Sequence, residues 1–193
     1  MRKDSICAIL YYPRSLAFVV VCGFFPTNAA AQSLKTTSLY FSAGTAFPLG
    51  EFSNRSKIGF EANAAAGIIP LASSAPEMEL GVHATAGYYP GSLQTKNNFT
   101  FLRIGPELRL RMNTRRESQT YLSMNGGYAY TKQLPKGSDL GFVEHNYFAS
   151  AAIGIETMPE GQNGYFIEVR LTDVAGSKIR DFLTFGISVG IRI

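Results

Sequence analysis

The chain has 193 residues, 46% of them hydrophobic and 17% charged, with a formal net charge of +4 and two cysteines. That is one domain's length with apolar material enough for a core, and too small a basic excess to mark a nucleic-acid surface. Cys7 and Cys22, three of the 18 basic residues and one of the 14 acidic ones all lie within residues 1–31, so the rest of the chain supports neither disulfide nor thiol chemistry.

Residues 1–31 read as a cleaved secretory signal. Arg2, Lys3 and Arg14 precede the apolar run Leu16 to Phe25, and Ala29 and Ala31 have the small-x-small spacing of a cleavage site. The run is shorter than the ~20 residues that span a bilayer as a helix. Cys22 offers a lipoprotein alternative, against which Val21 stands where a small residue is wanted. The expected mature domain is 32–193, beginning at Gln32.

From Ser38 onward the chain alternates apolar and polar residues with a period of two, the mark of β-strands with one apolar face. Segment one, 38–47, places Leu39, Phe41, Ala43 and Phe47 on one face. Segment two, 58–69, sets Ile58, Phe60, Ala62, Ala64 and Ile68 against Glu61 and Asn63. Segment three, 78–89, sets Met78, Leu80, Val82 and Tyr88 against Glu79, His83 and Thr85. Segment four, 99–112, sets Leu102, Ile104, Leu108 and Leu110 against Arg103, Glu107, Arg109 and Arg111, with Pro106 predicting a bulge.

Segment five, 120–130, is less regular, with Leu122, Met124, Tyr128 and Tyr130 opposite Ser123 and Asn125. Segment six, 147–156, has Ile153 and Ile155 facing away from Ser150 and Glu156, and segment seven, 165–172, has Ile167 and Val169 facing away from Glu168 and Arg170. The last stretch, DFLTFGISVGIRI, alternates most strictly: Leu183, Phe185, Ile187, Val189, Ile191 and Ile193 against Thr184, Ser188 and Arg192. It is longer than an ordinary globular strand and suits a tilted strand crossing a bilayer, about 9–11 residues.

Eight such segments without a helical pattern between them predict an all-β fold, an eight-stranded antiparallel up-and-down transmembrane β-barrel. The connectors at 48–57, 90–98, 131–143 and 173–180 form one set of loops. Those at 70–77, 113–118 and 158–163 are mostly shorter, the asymmetry of outer-membrane barrels. No later segment suits a transmembrane helix, so a membrane form must be a closed barrel.

A soluble lipocalin-like carrier has the same period with its apolar face inward. Three features place the polar face inside instead: it lacks lysine, it is crowded with glycine, and its charges balance. Glu61, Glu79, Glu107, Glu156 and Glu168 stand against Arg103, Arg109, Arg111, Arg170 and Arg192, a set able to pair in a narrow lumen together with His83. Aromatic residues at strand ends read as two interfacial girdles: Phe47, Tyr88, Tyr89, Tyr128, Tyr130 and Tyr147 beside the longer loops; Tyr40, Phe41, Tyr121 and Tyr165 at the other rim.

With its LTFGISVGIRI closing strand and Glu/Arg lumen set, the chain resembles the small outer-membrane β-barrel family, the eight-stranded class of OmpX and the OmpA membrane domain, over residues 38–193. The resemblance implies residence in the cell outer membrane, monomeric, among outer-membrane lipid and lipopolysaccharide, with insertion by the barrel-assembly machinery. Members usually end in Phe or Trp; this chain ends in Ile193.

Catalytic motifs are missing: there is no Gly-x-Ser-x-Gly, phosphate loop, CxxC or HExxH. Of the two histidines, His83 reads as a neutral lumen imidazole bonded to Glu or Arg. His145, with Glu144 and Asn146 at a loop entrance, falls short of a metal site. The sequence therefore predicts no enzyme, no cofactor, no metal and no nucleic-acid partner. The expected function is a filled barrel serving envelope integrity or loop-mediated adhesion and binding; a narrow channel is the alternative, and a secreted carrier a lower one.

Overall fold

The computed structural model describes residues 38–72, 77–92, 97–112, 118–134, 141–157, 163–175 and 182–193. The predicted signal and the Gln32 start lie outside the described residues. The elements run β1 (Ser38–Leu49), α1 (Glu51–Arg55), β2 (Gly59–Ala72), β3 (Glu77–Tyr89), β4 (Asn98–Met112), β5 (Ser118–Leu134), β6 (Val143–Thr157), β7 (Gly164–Ala175) and β8 (Phe182–Arg192). Each strand pairs antiparallel with the next, and β8 closes on β1 to make an eight-stranded up-and-down barrel. The fold class read from the periodicity is the one observed.

Closure is continuous from Leu49↔Leu183 to Tyr40↔Arg192, and Leu39 and Ile193 exchange both backbone bonds at the lower end. A closed ladder leaves no strand edge unpaired, which is what lets a sheet sit in a medium without water. The strands are 11 to 17 residues long, so several reach beyond the roughly 9–11 residues a bilayer requires. Residues 131–134, 143–146 and 173–175, expected as loop or loop entrance, belong to β5, β6 and β7. Their alternation continues, but with polar side chains that the apolar pattern does not register.

Three further expectations change. Pro106 makes no bulge: β3 and β4 run in register through Val82↔Pro106, and the β4–β5 register is the same on both sides of it. Register shifts fall in the β2–β3 ladder instead, between Gly67 and Ile69 and between Pro70 and Ala72. The first leaves Ile68 half-buried and Ile69 exposed, where Ile68 was expected on the apolar face. Finally, the first loop contains the short helix α1, entered through Gly50 at φ 59°, a conformation glycine adopts without cost.

The apolar face points outward. Phe60, Leu102, Ile153, Tyr165, Ile167 and Val189 are all largely exposed, with Phe60 at 63% and Val189 at 62%. An apolar surface of this kind running around the whole barrel is far more than a water-soluble monomer exposes. The interior holds the polar face, the reverse of a carrier that folds its apolar face around a ligand.

Candidate functional site: the filled lumen and its mouth

The strand period alone decides which side chains enter the lumen. Glu61, Glu79, His83, Arg103, Glu107, Arg109, Arg111, Glu156, Glu168 and Arg170 are each no more than 8% exposed, and Arg192 is half-buried at the lower rim. Glu144 joins them at 6%. It was missed as a lumen residue because it was taken for the end of a loop.

The charges are arranged in three levels. Nearest the longer loops, Glu61 of β2 takes an ion pair from Arg103 Nη2 at 2.9 Å and a hydrogen bond from the Tyr89 hydroxyl at 2.8 Å. The Arg103 guanidinium lies 4.4 Å from the Phe101 ring centre and 5.8 Å from that of Phe148. Ring faces therefore cover nitrogens that have no hydrogen-bond acceptor among the described residues.

At mid-height Arg170 brings Nε at 2.9 Å and Nη2 at 2.7 Å to one oxygen of Glu168, whose other oxygen accepts from the Tyr121 hydroxyl at 3.0 Å, and Arg170 also reaches Ser150 Oγ at 3.2 Å. Ser150 donates to Asn125, whose amide donates to His83 Nδ1 at 2.6 Å. His83 is thus bonded to an amide, where a Glu or Arg partner was expected. Arg109 pairs with Glu107 at 3.2 Å and stacks 3.7 Å from the Tyr40 ring centre.

At the lower end Arg111 pairs with Glu79, which also accepts from Ser38 at 2.6 Å and from Tyr40 at 3.2 Å. Glu156 joins Arg192 at 2.8 Å and Arg111 at 3.8 Å. Each carboxylate in these levels meets a guanidinium, the condition under which buried ions are tolerated. The void lined by Tyr40, His83, Arg109 and Arg170 is only about 10 Å³, room for about one water.

Above the charges the lumen becomes aromatic. Phe52, carried in by α1, is fully buried among Tyr89, Phe99 and Phe182, with Phe101 and Phe148 in the same cluster. Its ring stacks on Phe182 with centres 4.0 Å apart and meets Tyr89 and Phe99 edge-on at 5.2 and 5.5 Å. The helix thus places a stopper in the mouth on the longer-loop side. Tyr89, Tyr40 and Tyr121, expected in the girdles, are instead inside the lumen at 0%, 3% and 0% exposure. Phe41, Tyr88, Tyr128, Tyr147 and Tyr165 do face outward near the two rims.

His145 lies on the outer face of β6, not in the lumen, with its ring against Tyr128 and Tyr130. Asn146 faces inward and donates to Glu144 at 3.2 Å, so the Glu144, His145 and Asn146 triplet is split between the two faces. No cluster of three or more His, Cys, Asp or Glu able to hold a metal occurs among the described residues.

No protein-family model matches the chain, and no curated protein matches it. Solved structures do. Neisserial surface protein A (NspA) superposes with a TM-score of 0.63 at 15% identity, over 81% of this chain and 95% of that one. The outer-membrane enzyme PagL superposes with a TM-score of 0.52 at 11% identity, over 81% of this chain and 98% of PagL. The second corrects the expectation of no enzymatic activity: an outer-membrane enzyme shares this barrel fold, so the fold does not argue against catalysis. The chain has the fold of the small eight-stranded outer-membrane β-barrels, and its apolar outer belt is the surface such a fold turns to lipid.

Proposed function

We propose that the protein is an outer-membrane barrel whose sealed interior makes it a rigid base for its longer loops, which bind partners at the cell surface. One observation carries this reading: the lumen is closed twice over. Interlocked ion pairs occupy the lumen, where the void lined by Tyr40, His83, Arg109 and Arg170 is about 10 Å³, and the Phe52 stopper fills the mouth above them. With the interior occupied, recognition falls to the loops and outer rim, which rest on strands that extend past the bilayer thickness. Rigid support is what binding loops need in order to hold one shape.

The reading supports a structural contribution to the envelope from the same features, and it disfavours the channel alternative, since an eight-stranded barrel packed with side chains has no water path. The test has two arms. In planar bilayers the refolded protein should give no discrete conductance; stepwise currents would overturn the sealed lumen. On whole cells, replacing 93–96, 135–140 and 176–181 by short Gly-Ser linkers should keep a heat-modifiable barrel while abolishing attachment to surfaces. Undiminished attachment would overturn loop-mediated binding.

A further inference from the structure

The outer faces of β5 and β6 carry a polar cluster that the lumen does not explain. Near the longer-loop end the register sets Tyr130 opposite His145, Tyr128 opposite Tyr147 and Lys132 opposite Val143. Tyr128, Lys132, His145 and Tyr147 are exposed on that face, and Tyr130 is partly so. Lys132, expected in a loop, is therefore an exposed strand residue on the diagonal from His145. Diagonal neighbours on one face of an antiparallel pair lie about 7–8 Å apart at Cα, a gap that one tetrahedral anion accepting from both sides closes.

The imidazole is held in place. The Tyr128 hydroxyl bonds His145 Nδ1, and the rings of Tyr128 and Tyr130 lie with centres 5.8 and 5.6 Å from its own. In the tautomer whose Nδ1 accepts from that hydroxyl, the ring proton sits on Nε2, a donor directed away from Tyr128. Lys132 supplies a second donor and a full positive charge. Among the described residues no carboxylate shares the outer face of β4, β5 or β6; Asp173 faces outward on β7, opposite Ala149. A patch of donors without acceptor charge selects an anion.

Its height narrows the choice. Tyrosines mark the level where lipid headgroups begin, and further along the same two strands Met124 of β5 and Ile153 of β6 face the hydrocarbon, with Leu102 and Ile104 of β4 exposed beside Tyr130 and Tyr128. A ligand that satisfies both zones has a phosphate on top and acyl chains beneath. We propose that Lys132 and His145, braced by Tyr128 and Tyr130, bind the phosphate of an anionic lipid in the leaflet beside the longer loops. The site rests on the membrane-barrel reading given above.

The chain has two histidines, and His83 is 3% exposed inside the lumen, so it serves as an internal control. In protein refolded in neutral detergent micelles, dihexanoyl phosphatidic acid should shift the His145 ring resonances saturably and leave those of His83 in place. Lys132→Gln should weaken the binding at least ten-fold while migrating as the same heat-modifiable barrel. The site is overturned by an absent or non-saturating shift, by an equal response to zwitterionic dihexanoyl phosphatidylcholine, or by unchanged affinity in Lys132→Gln. Inorganic phosphate binding as tightly as the lipid would overturn the lipid assignment. A refolded, heat-modifiable barrel with no His145 shift sinks the site alone. Protein that is folded and soluble without detergent sinks the membrane reading as well.

Discussion

Phe52 of α1 stacks on Phe182 of β8 with ring centres 4.0 Å apart and planes inclined by 21°. This contact joins the first loop to the closing strand across the mouth of the barrel. It puts a side chain from outside the strand pattern at the centre of an aromatic cluster of which Tyr89, Phe99 and Phe101 are also part.

Removing that ring is therefore a core truncation. Phe52→Ala should cost about 3–5 kcal/mol, the usual range for a fully buried Phe, read as a lower urea midpoint of the refolded barrel. Phe52→Leu should recover most of it. A change in Phe52→Ala no larger than that of Ser53→Ala, an exposed neighbour on the same helix, would mean that the stopper does not stay seated.

The ion pairs make a second prediction. Arg103→Ala leaves Glu61 buried at 8% exposure with only the Tyr89 hydroxyl among its described partners, and breaking such a pair should cost about 3–5 kcal/mol. Combining it with Glu61→Gln should return part of the loss, because the stranded charge is gone. Lys57→Ala, at an exposed position, supplies the baseline. Additive losses in the double variant would show that the two residues act independently.

How far this was legible follows from what a period of two encodes. Parity assigns each strand residue to one face, so the outward belt and the inward Glu/Arg set could be read directly. Parity does not say which carboxylate meets which guanidinium: Glu61 and Arg103 lie on non-adjacent strands, and barrel closure brings them together. Aromatic residues at strand ends fit either face by type, so Tyr40, Tyr89 and Tyr121 were read as girdle, although their parity is that of the lumen. Phe99, Phe101, Phe148 and Phe182 share that inward parity, where the pattern led one to expect polar residues only. Phe52 is in a loop, beyond the reach of any strand pattern. The five residues of α1 are too few to show helical periodicity.

Glycine packing gives a third test. A Cβ placed on Gly44 would come within 2.0 Å of the Ile187 carbonyl oxygen, whereas one on Gly186 would meet nothing nearer than 3.7 Å. Gly44→Ala pushes against the backbone of β8 at the closing seam and should cost about 1–3 kcal/mol as overpacking. Gly186→Ala should be neutral or stabilising by under about 1 kcal/mol through the unfolded chain. Paired unfolding curves check the contrast, and equal effects would mean the β1–β8 seam is looser than described.

The face assignment of β8 gives the last prediction. Ile187, Val189 and Ile191 are exposed at 38%, 62% and 38%, while Ser188 between them is buried at 8%. In a bilayer those exposed positions meet acyl chains, where a guanidinium has neither water nor a carboxylate. Ile187→Arg should cost about 2–4 kcal/mol if the residue sits near the midplane, falling toward zero nearer an interface. Cysteine placement separates lipid from simple exposure. A fluorophore on Cys at 187, 189 or 191 should be quenched by a lipid-borne quencher, and one at 188 or 190 should not, because those positions point into the packed lumen. Free labelling of 187, 189 and 191 by a water-soluble maleimide, without lipid quenching, would place the apolar belt in water. It would then need a protein partner to cover it.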